Sequence, residues 1–188
     1  MKKIVLTFGI ISGIISSVLM LATLPFEHQI GYDLGLLVGY TGMVLAFMMV
    51  FFGIRSYRDN VAGGRVSFGR ALAVGALIAL ISSCFYVATW EVIFFRFQPD
   101  FIVKMQATTV EKARVAGAST ATLDSMKVAN AKFATMYNNP LVNMAFTFLE
   151  PLPVALVIAL VSAGVLSRKR KEDSGEGPAG RSSPQPVA

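Results

Sequence analysis

Cysteine and histidine occur once each, as Cys84 and His28, in a chain of 188 residues. A lone cysteine excludes an internal disulfide and any zinc site built from several thiolates. One histidine leaves little material for a metal centre or a histidine-based triad. Charge is scarce too: Asp, Glu, Lys and Arg make up 15% of the chain, against about 25% in an ordinary soluble domain. A Gly-x-Ser-x-Gly elbow, a His-Glu-x-x-His pair, a nucleotide-binding glycine fingerprint and a carboxylate cluster are all missing. The chain therefore does not read as an enzyme, and no cofactor is implied.

What is present is apolar. Hydrophobic residues reach 54% with a mean hydropathy of +0.61, and the charges are unevenly placed. Lys3 and Glu27 bound an uncharged stretch, as do Asp33 and Arg55, then Arg70 and Glu91. Each stretch has the length of about 20 residues that a bilayer core of about 30 Å demands. The expected fold class is all-α, a polytopic membrane protein of four transmembrane helices, at about residues 4–24, 34–54, 71–95 and 141–167. The first run is longer than a signal-peptide core, and Met20 stands where a cleavage site wants a small residue, so it reads as a retained span. Cys84, among Ser82, Ser83 and Phe85, reads as a small packing residue.

Basic residues in short loops select the cytoplasmic side. Lys2 and Lys3 lead the chain; Arg55, Arg58, Arg65 and Arg70 lie between spans two and three; Arg168, Lys169, Arg170 and Lys171 follow span four. The loop between spans one and two has no Lys or Arg. Both termini are expected in the cytoplasm. The net charge of +6 then reports topology and contact with anionic lipid head groups, not nucleic acid.

Residues 96–140 fall on the extracytoplasmic side and read as a helical hairpin that caps the bundle or lies on the membrane surface, the narrow apolar face favouring the cap. One helix starts at Pro99, Gly117 breaks the pattern, and Ser119 or Thr120 caps a second helix that ends near Tyr137. The Gly-, Pro- and Ser-rich residues 172–188 read as a disordered cytoplasmic tail.

Several spaced motifs resemble one family. They are Ser56-Tyr57-Arg58-Asp59-Asn60, Gly64-Arg65-Val66-Ser67-Phe68-Gly69-Arg70-Ala71, Pro99-Asp100-Phe101, Gly117-Ala118-Ser119, Tyr137-Asn138-Asn139-Pro140 and the run from Thr147 through Glu150-Pro151-Leu152-Pro153-Val154. Over about residues 1–171 the chain resembles the bacterial membrane-protein family catalogued as domain-of-unknown-function 4199, found chiefly in Bacteroidota. The resemblance implies a four-span inner-membrane protein and no activity.

Two sets of residues stand out. Glu150 lies about ten residues into span four, roughly 15 Å deep, where a charge costs about 2.5–3.5 kcal/mol and normally faces the bundle or a wet cavity. Pro151 and Pro153 remove the N–H groups that would bond the carbonyls of Thr147 and Leu149, which predicts non-helical backbone there. With Asn143 and Thr147 on the same face, this is either an ion or ligand site of the broken-helix kind or a packing device. The second set, Arg55, Arg58, Arg65 and Arg70 with Gly63-Gly64, makes a basic turn suited to lipid phosphate or to topology alone.

Small residues recur at helical spacing: Gly9 and Gly13; Gly31, Gly35 and Gly39; Ala71, Gly75, Ala79 and Ser83; Ala155, Ala159 and Ala163. They are expected to let helices of the same chain approach closely. Polar stripes at Ser12, Ser16 and Thr23 and at Ser82, Tyr86 and Thr89 are expected to bond across helices. Trp90 reads as an interfacial aromatic and Glu91 as a solvated carboxylate at the outer interface.

Three functional classes remain, in order. The first is a non-catalytic structural, assembly or regulatory membrane component, whose partners would be the lipid bilayer, a second copy of the chain or other membrane proteins. The second is a small oligomeric transporter or channel using Glu150 as an ion or proton site. The third is a membrane-embedded lipid-modifying enzyme.

Overall fold

The computed structural model describes residues 1–167, with only the backbone described at residues 27–30 and 32. Arg168, Lys169, Arg170, Lys171 and the tail expected at 172–188 lie outside the described residues.

Among the described residues every regular element is helical. Helix α1 is Lys2–Thr23, closed by a short 3₁₀ turn at Leu24–Phe26. Helix α2 is Glu27–Asn60, bent at Gly31, whose φ of +67° and ψ of 172° need a residue without a Cβ. Helix α3 is Phe68–Val92 and runs into a π-helical turn at Ile93–Phe97. The hairpin is α4, Phe101–Val115, and α5, Thr120–Tyr137. Span four divides into α6, Pro140–Leu149, and α7, Leu152–Leu166.

Four stretches are long and apolar enough to cross a membrane: Lys2–Phe26, Asp33–Asn60, Phe68–Phe97 and Pro140–Leu166, with mean hydropathies of 2.1 to 2.4. Their outer faces confirm the solvent they suit. Val18, Leu37 and Val161 are 57%, 63% and 60% exposed, which a water-soluble protein does not repeat along every helix. This is a membrane protein.

Close approach sets the register. A Cβ at Gly9 would fall 2.8 Å from Ile81 and one at Gly13 2.5 Å from Phe85, while Ser17 Oγ lies 2.7 Å from Thr89 Oγ1. Successive turns of α1 thus meet successive turns of α3 in the same direction, and the two run parallel. Ser12 Oγ donates to the Ala46 carbonyl at 2.7 Å and lies 2.9 Å from Ser82 Oγ, whereas Phe8 lies beside Gly53 and Leu19 beside Gly42; α2 is antiparallel to α1. Gly75 on α3 meets Val50 and Ile54 on α2 and Ala159 on α7. The expected stripe of Ser12 and Ser82 therefore meets across the bundle, and Ser17, outside that stripe, makes the bond to Thr89.

The up-and-down course puts Met1, residues 61–67 and Ser167 at one end, and residues 24–33 and 93–140 at the other. Near the first end the bundle is solid: Val50, Ile54, Val74 and Ile78 are all 0% exposed.

Three expectations need correction. Cys84 is exposed on α3 and not packed inside, because Ser82 and Ser83 occupy the inward positions of that turn. Gly31, Gly35 and Gly39 mediate no helix contact; a Cβ at any of them would meet nothing within 4 Å, since α2 has parted from its neighbours above Gly42. Helix α4 begins at Phe101, with Pro99 and Asp100 in the preceding turn.

Candidate functional site

Where α2 leaves the bundle, a cavity of about 1120 Å³ opens between α1, α2, α3 and α6 under the hairpin. Its α2 wall is glycine-rich, which is why the space is there: Gly31, Gly35 and Gly39 line it with no side chain to fill it.

The hairpin is held over this space by aromatic rings and one ion pair. Trp90 packs edge-on against Phe101, ring centres 4.9 Å apart, and Phe94 against Tyr137 at 5.3 Å. Phe133 stacks on Tyr137 at 5.5 Å and meets Phe146 edge-on at 5.7 Å. Gln106 Nε2 donates to the Asn130 carbonyl at 3.0 Å, joining α4 to α5. Lys112 Nζ reaches Asp33 on α2 at 2.6 Å. Gly117, with φ of +84°, turns the chain between the helices, and Ser119 Oγ accepts from Thr122 N–H at 3.2 Å to start α5.

Hydrogen bonds run along one wall. Tyr86 donates to Glu150 Oε2 at 3.1 Å, and Trp90 Nε1–H donates to Tyr137 Oη at 3.1 Å. Tyr137 Oη lies 3.3 Å from Thr147 Oγ1, which donates to Asn143 Oδ1 at 3.1 Å. Burial raises the Tyr137 phenol above its ordinary range, so it serves this chain as a neutral hydroxyl.

Glu150 and Thr147 line the cavity. Asn143 lies behind them, 0% exposed, with its Nδ2 lacking a hydrogen-bond partner among the described residues. The backbone around Glu150 corrects the expectation of an unwound segment. Glu150 (φ −61°, ψ −51°) and Pro151 (φ −74°, ψ −16°) both keep right-handed helical angles, so the chain kinks without unwinding. Glu150 N–H closes α6 on the Phe146 carbonyl at 3.2 Å, and Ala155 N–H opens α7 on the Pro151 carbonyl at 2.9 Å. Pro151 caps α7 and Pro153 sits in its first turn, so the Thr147 and Leu149 carbonyls lose their i+4 donors although the backbone stays helical, and that loss makes the kink.

The arginines lie at the opposite end and share nothing with the cavity. Arg58 Nε donates to Asp59 at 2.7 Å, and Arg55 Nε lies 3.7 Å from the same carboxylate. Arg65 lies in the connection and Arg70 in the first turn of α3. Gly63 and Gly64, with φ of +66° and +83°, let the connection fold back to cap α2. The N–H groups of Val61 and Ala62 reach the Tyr57 carbonyl and that of Gly64 the Arg58 carbonyl.

Trp90 and Glu91 carry more than their expected roles. Trp90 donates to Tyr137 of the hairpin from its place at the end of the span, and one oxygen of the partly exposed Glu91, Oε1, is buried without a hydrogen-bond partner among the described residues. The sequence reading missed Tyr137, Phe133 and the pairing of Tyr86 with Glu150. The antiparallel register of α3 against span four would have found that pairing, since Gly75 opposite Ala159 carries Tyr86 toward Glu150.

Fold and site define an all-α membrane protein, with four helical stretches long and apolar enough to cross a bilayer and a hairpin-covered cavity in one half. The chain belongs to the family described as protein of unknown function (DUF4199), which matches residues 7–168. No curated protein and no solved structure matches it.

Proposed function

We propose that the protein is a non-catalytic component of a bacterial inner membrane, with both termini in the cytoplasm, that holds an apolar ligand in the cavity beneath its hairpin. The cavity carries this reading. At about 1120 Å³ it is slightly larger than the roughly 300–1,000 Å³ of ligand cavities, and an apolar lining with a few convergent polar groups is their usual chemistry. Below it the bundle closes on Val50, Ile54, Val74 and Ile78, which favours retention of a ligand over its passage across the membrane.

The arginine-bearing end supports the orientation, since Arg55, Arg58, Arg65 and Arg70 suit the cytoplasmic face and its anionic head groups. The resemblance to a family found chiefly in Bacteroidota supports the inner membrane. The exposed apolar helix faces are where lipid, a second copy or another membrane protein would pack.

The test uses the single tryptophan, which lines the cavity. Energy transfer from Trp90 to the uncharged probe N-phenyl-1-naphthylamine is expected to saturate in wild type. It should lose its saturable part in Gly39→Phe, a substitution with open space before it. A saturable signal unchanged in Gly39→Phe, or none in wild type, would sink the reading. For the orientation, single cysteines at Ser119 and Ser174 in a Cys84→Ala background should label from outside intact cells at 119 and not at 174.

A further inference from the structure

We propose that the ligand is a hydrophobic organic cation, an amine or quaternary ammonium on an apolar body, with the Glu150 carboxylate as its counter-ion. The proposal rests on the ligand-holding reading above and adds the sign of the ligand's charge.

The carboxylate is the reason. Glu150 faces the cavity, and among the described residues its hydrogen bond is the Tyr86 hydroxyl on Oε2. Among the described residues no lysine or arginine makes an ion pair with it; the bridges that exist involve Asp33, Asp59, Glu111 and Asp124. A carboxylate held at membrane depth without a cation from the protein is unbalanced, and such groups persist where they have a partner. Beside a neutral ligand the carboxyl would take a proton and its charge would serve nothing, and an anion would oppose its ionised form, whereas a cation favours it.

The surrounding chemistry suits a cation whose charge is spread over an apolar body. Tyr86, Trp90, Phe133, Tyr137 and Phe146 all line the cavity, and the negative faces of aromatic rings attract alkylated ammonium groups. Lys104, the lysine lining the cavity, stands on α4 of the hairpin. It disfavours a second positive charge there, so the ligand's cationic end points to Glu150 and its uncharged end to the hairpin.

Tetraphenylphosphonium and tetraphenylborate test the proposal, because they match in shape and differ in sign. Each is titrated against purified full-length protein in non-ionic detergent, read as displacement of N-phenyl-1-naphthylamine from Trp90, with Gly39→Phe as background. Wild type should bind the phosphonium at least about tenfold more tightly than the borate. Glu150→Gln should abolish that preference, and Glu150→Asp should retain part of it.

Equal or tighter binding of the borate overturns the proposal, as does a folded Glu150→Gln protein that keeps the full preference. If Glu150→Gln does not fold, the comparison of the two ions on wild type decides alone. Saturable binding of the naphthylamine without discrimination between the ions leaves the ligand-holding reading intact and removes this inference. Failure of all three probes removes both.

Discussion

The Tyr86 hydroxyl and Glu150 Oε2 lie 3.1 Å apart, a bond that ties α3 to the kink between α6 and α7. It holds Glu150 against α3 at the level where that residue lines the cavity. Position and chemistry are thus linked: the residue that joins two spans also carries the one acidic group lining the cavity.

Tyr86→Phe removes the donor and keeps the ring. The expected loss is about 0.5–2 kcal/mol, the range for one bond in a membrane interior or to a charged acceptor. Glu150→Gln keeps an acceptor for Tyr86, so it should destabilise less than Glu150→Leu. Thermal unfolding in detergent checks the order, and a Glu150→Gln protein no more stable than Glu150→Leu would contradict the bond.

The glycines divide into two kinds that sequence alone does not separate. Gly13→Ala places a methyl 2.5 Å from the Phe85 ring and should destabilise by about 1–3 kcal/mol, as overpacking does. Gly35→Ala meets nothing and should be neutral or stabilise by up to about 1 kcal/mol, because alanine is the better helix former. Equal stability of the two variants would mean that α1 and α3 do not approach as described.

The same contrast shows what the sequence makes legible. Hydropathy and the positions of charge are enough to find four helices long and apolar enough to cross a membrane, because crossing a bilayer leaves so few other solutions. The hairpin is legible from Gly117, Ser119 and the Asn138-Asn139-Pro140 turn, since breakers and caps act locally. The cavity is not legible. A run of small residues at Gly31, Gly35 and Gly39 has the same spacing as one that packs, and only the tertiary path of α2 decides that it faces space. Glu150 stands out as a charge in an apolar run, but its partner Tyr86 depends on helix register, and the proline kink depends on where α6 ends.

Ser12 is the hub of the lower bundle, buried at 0% exposure, 2.7 Å from the Ala46 carbonyl and 2.9 Å from Ser82 Oγ. Ser12→Ala and Ser82→Ala should each destabilise by roughly 0.6 kcal/mol, and the double variant by less than their sum, since they lose one bond in common. Unfolding of the four proteins gives the coupling, and strict additivity would show that the two hydroxyls do not interact.

The hairpin should be held by its rings and not by its ion pair. Lys112 and Asp33 have side chains 53% and 71% exposed, and such pairs contribute about 0–1 kcal/mol. Tyr137 is 8% exposed, touches the rings of Phe94 and Phe133, and accepts the Trp90 indole N–H. Removing a buried aromatic side chain of this kind costs about 3–5 kcal/mol. Local opening follows the stability of the segment that opens, so Tyr137→Ala should sharply accelerate trypsin cleavage after Arg114, whereas Lys112→Ala should leave that rate within a few-fold of wild type. Tyr137→Phe separates ring from hydroxyl: it keeps the stacking, loses the bond from Trp90, and should fall between the two. Cleavage faster in Lys112→Ala than in Tyr137→Ala would place the anchor at the ion pair instead, and the cavity's cover would then loosen with salt.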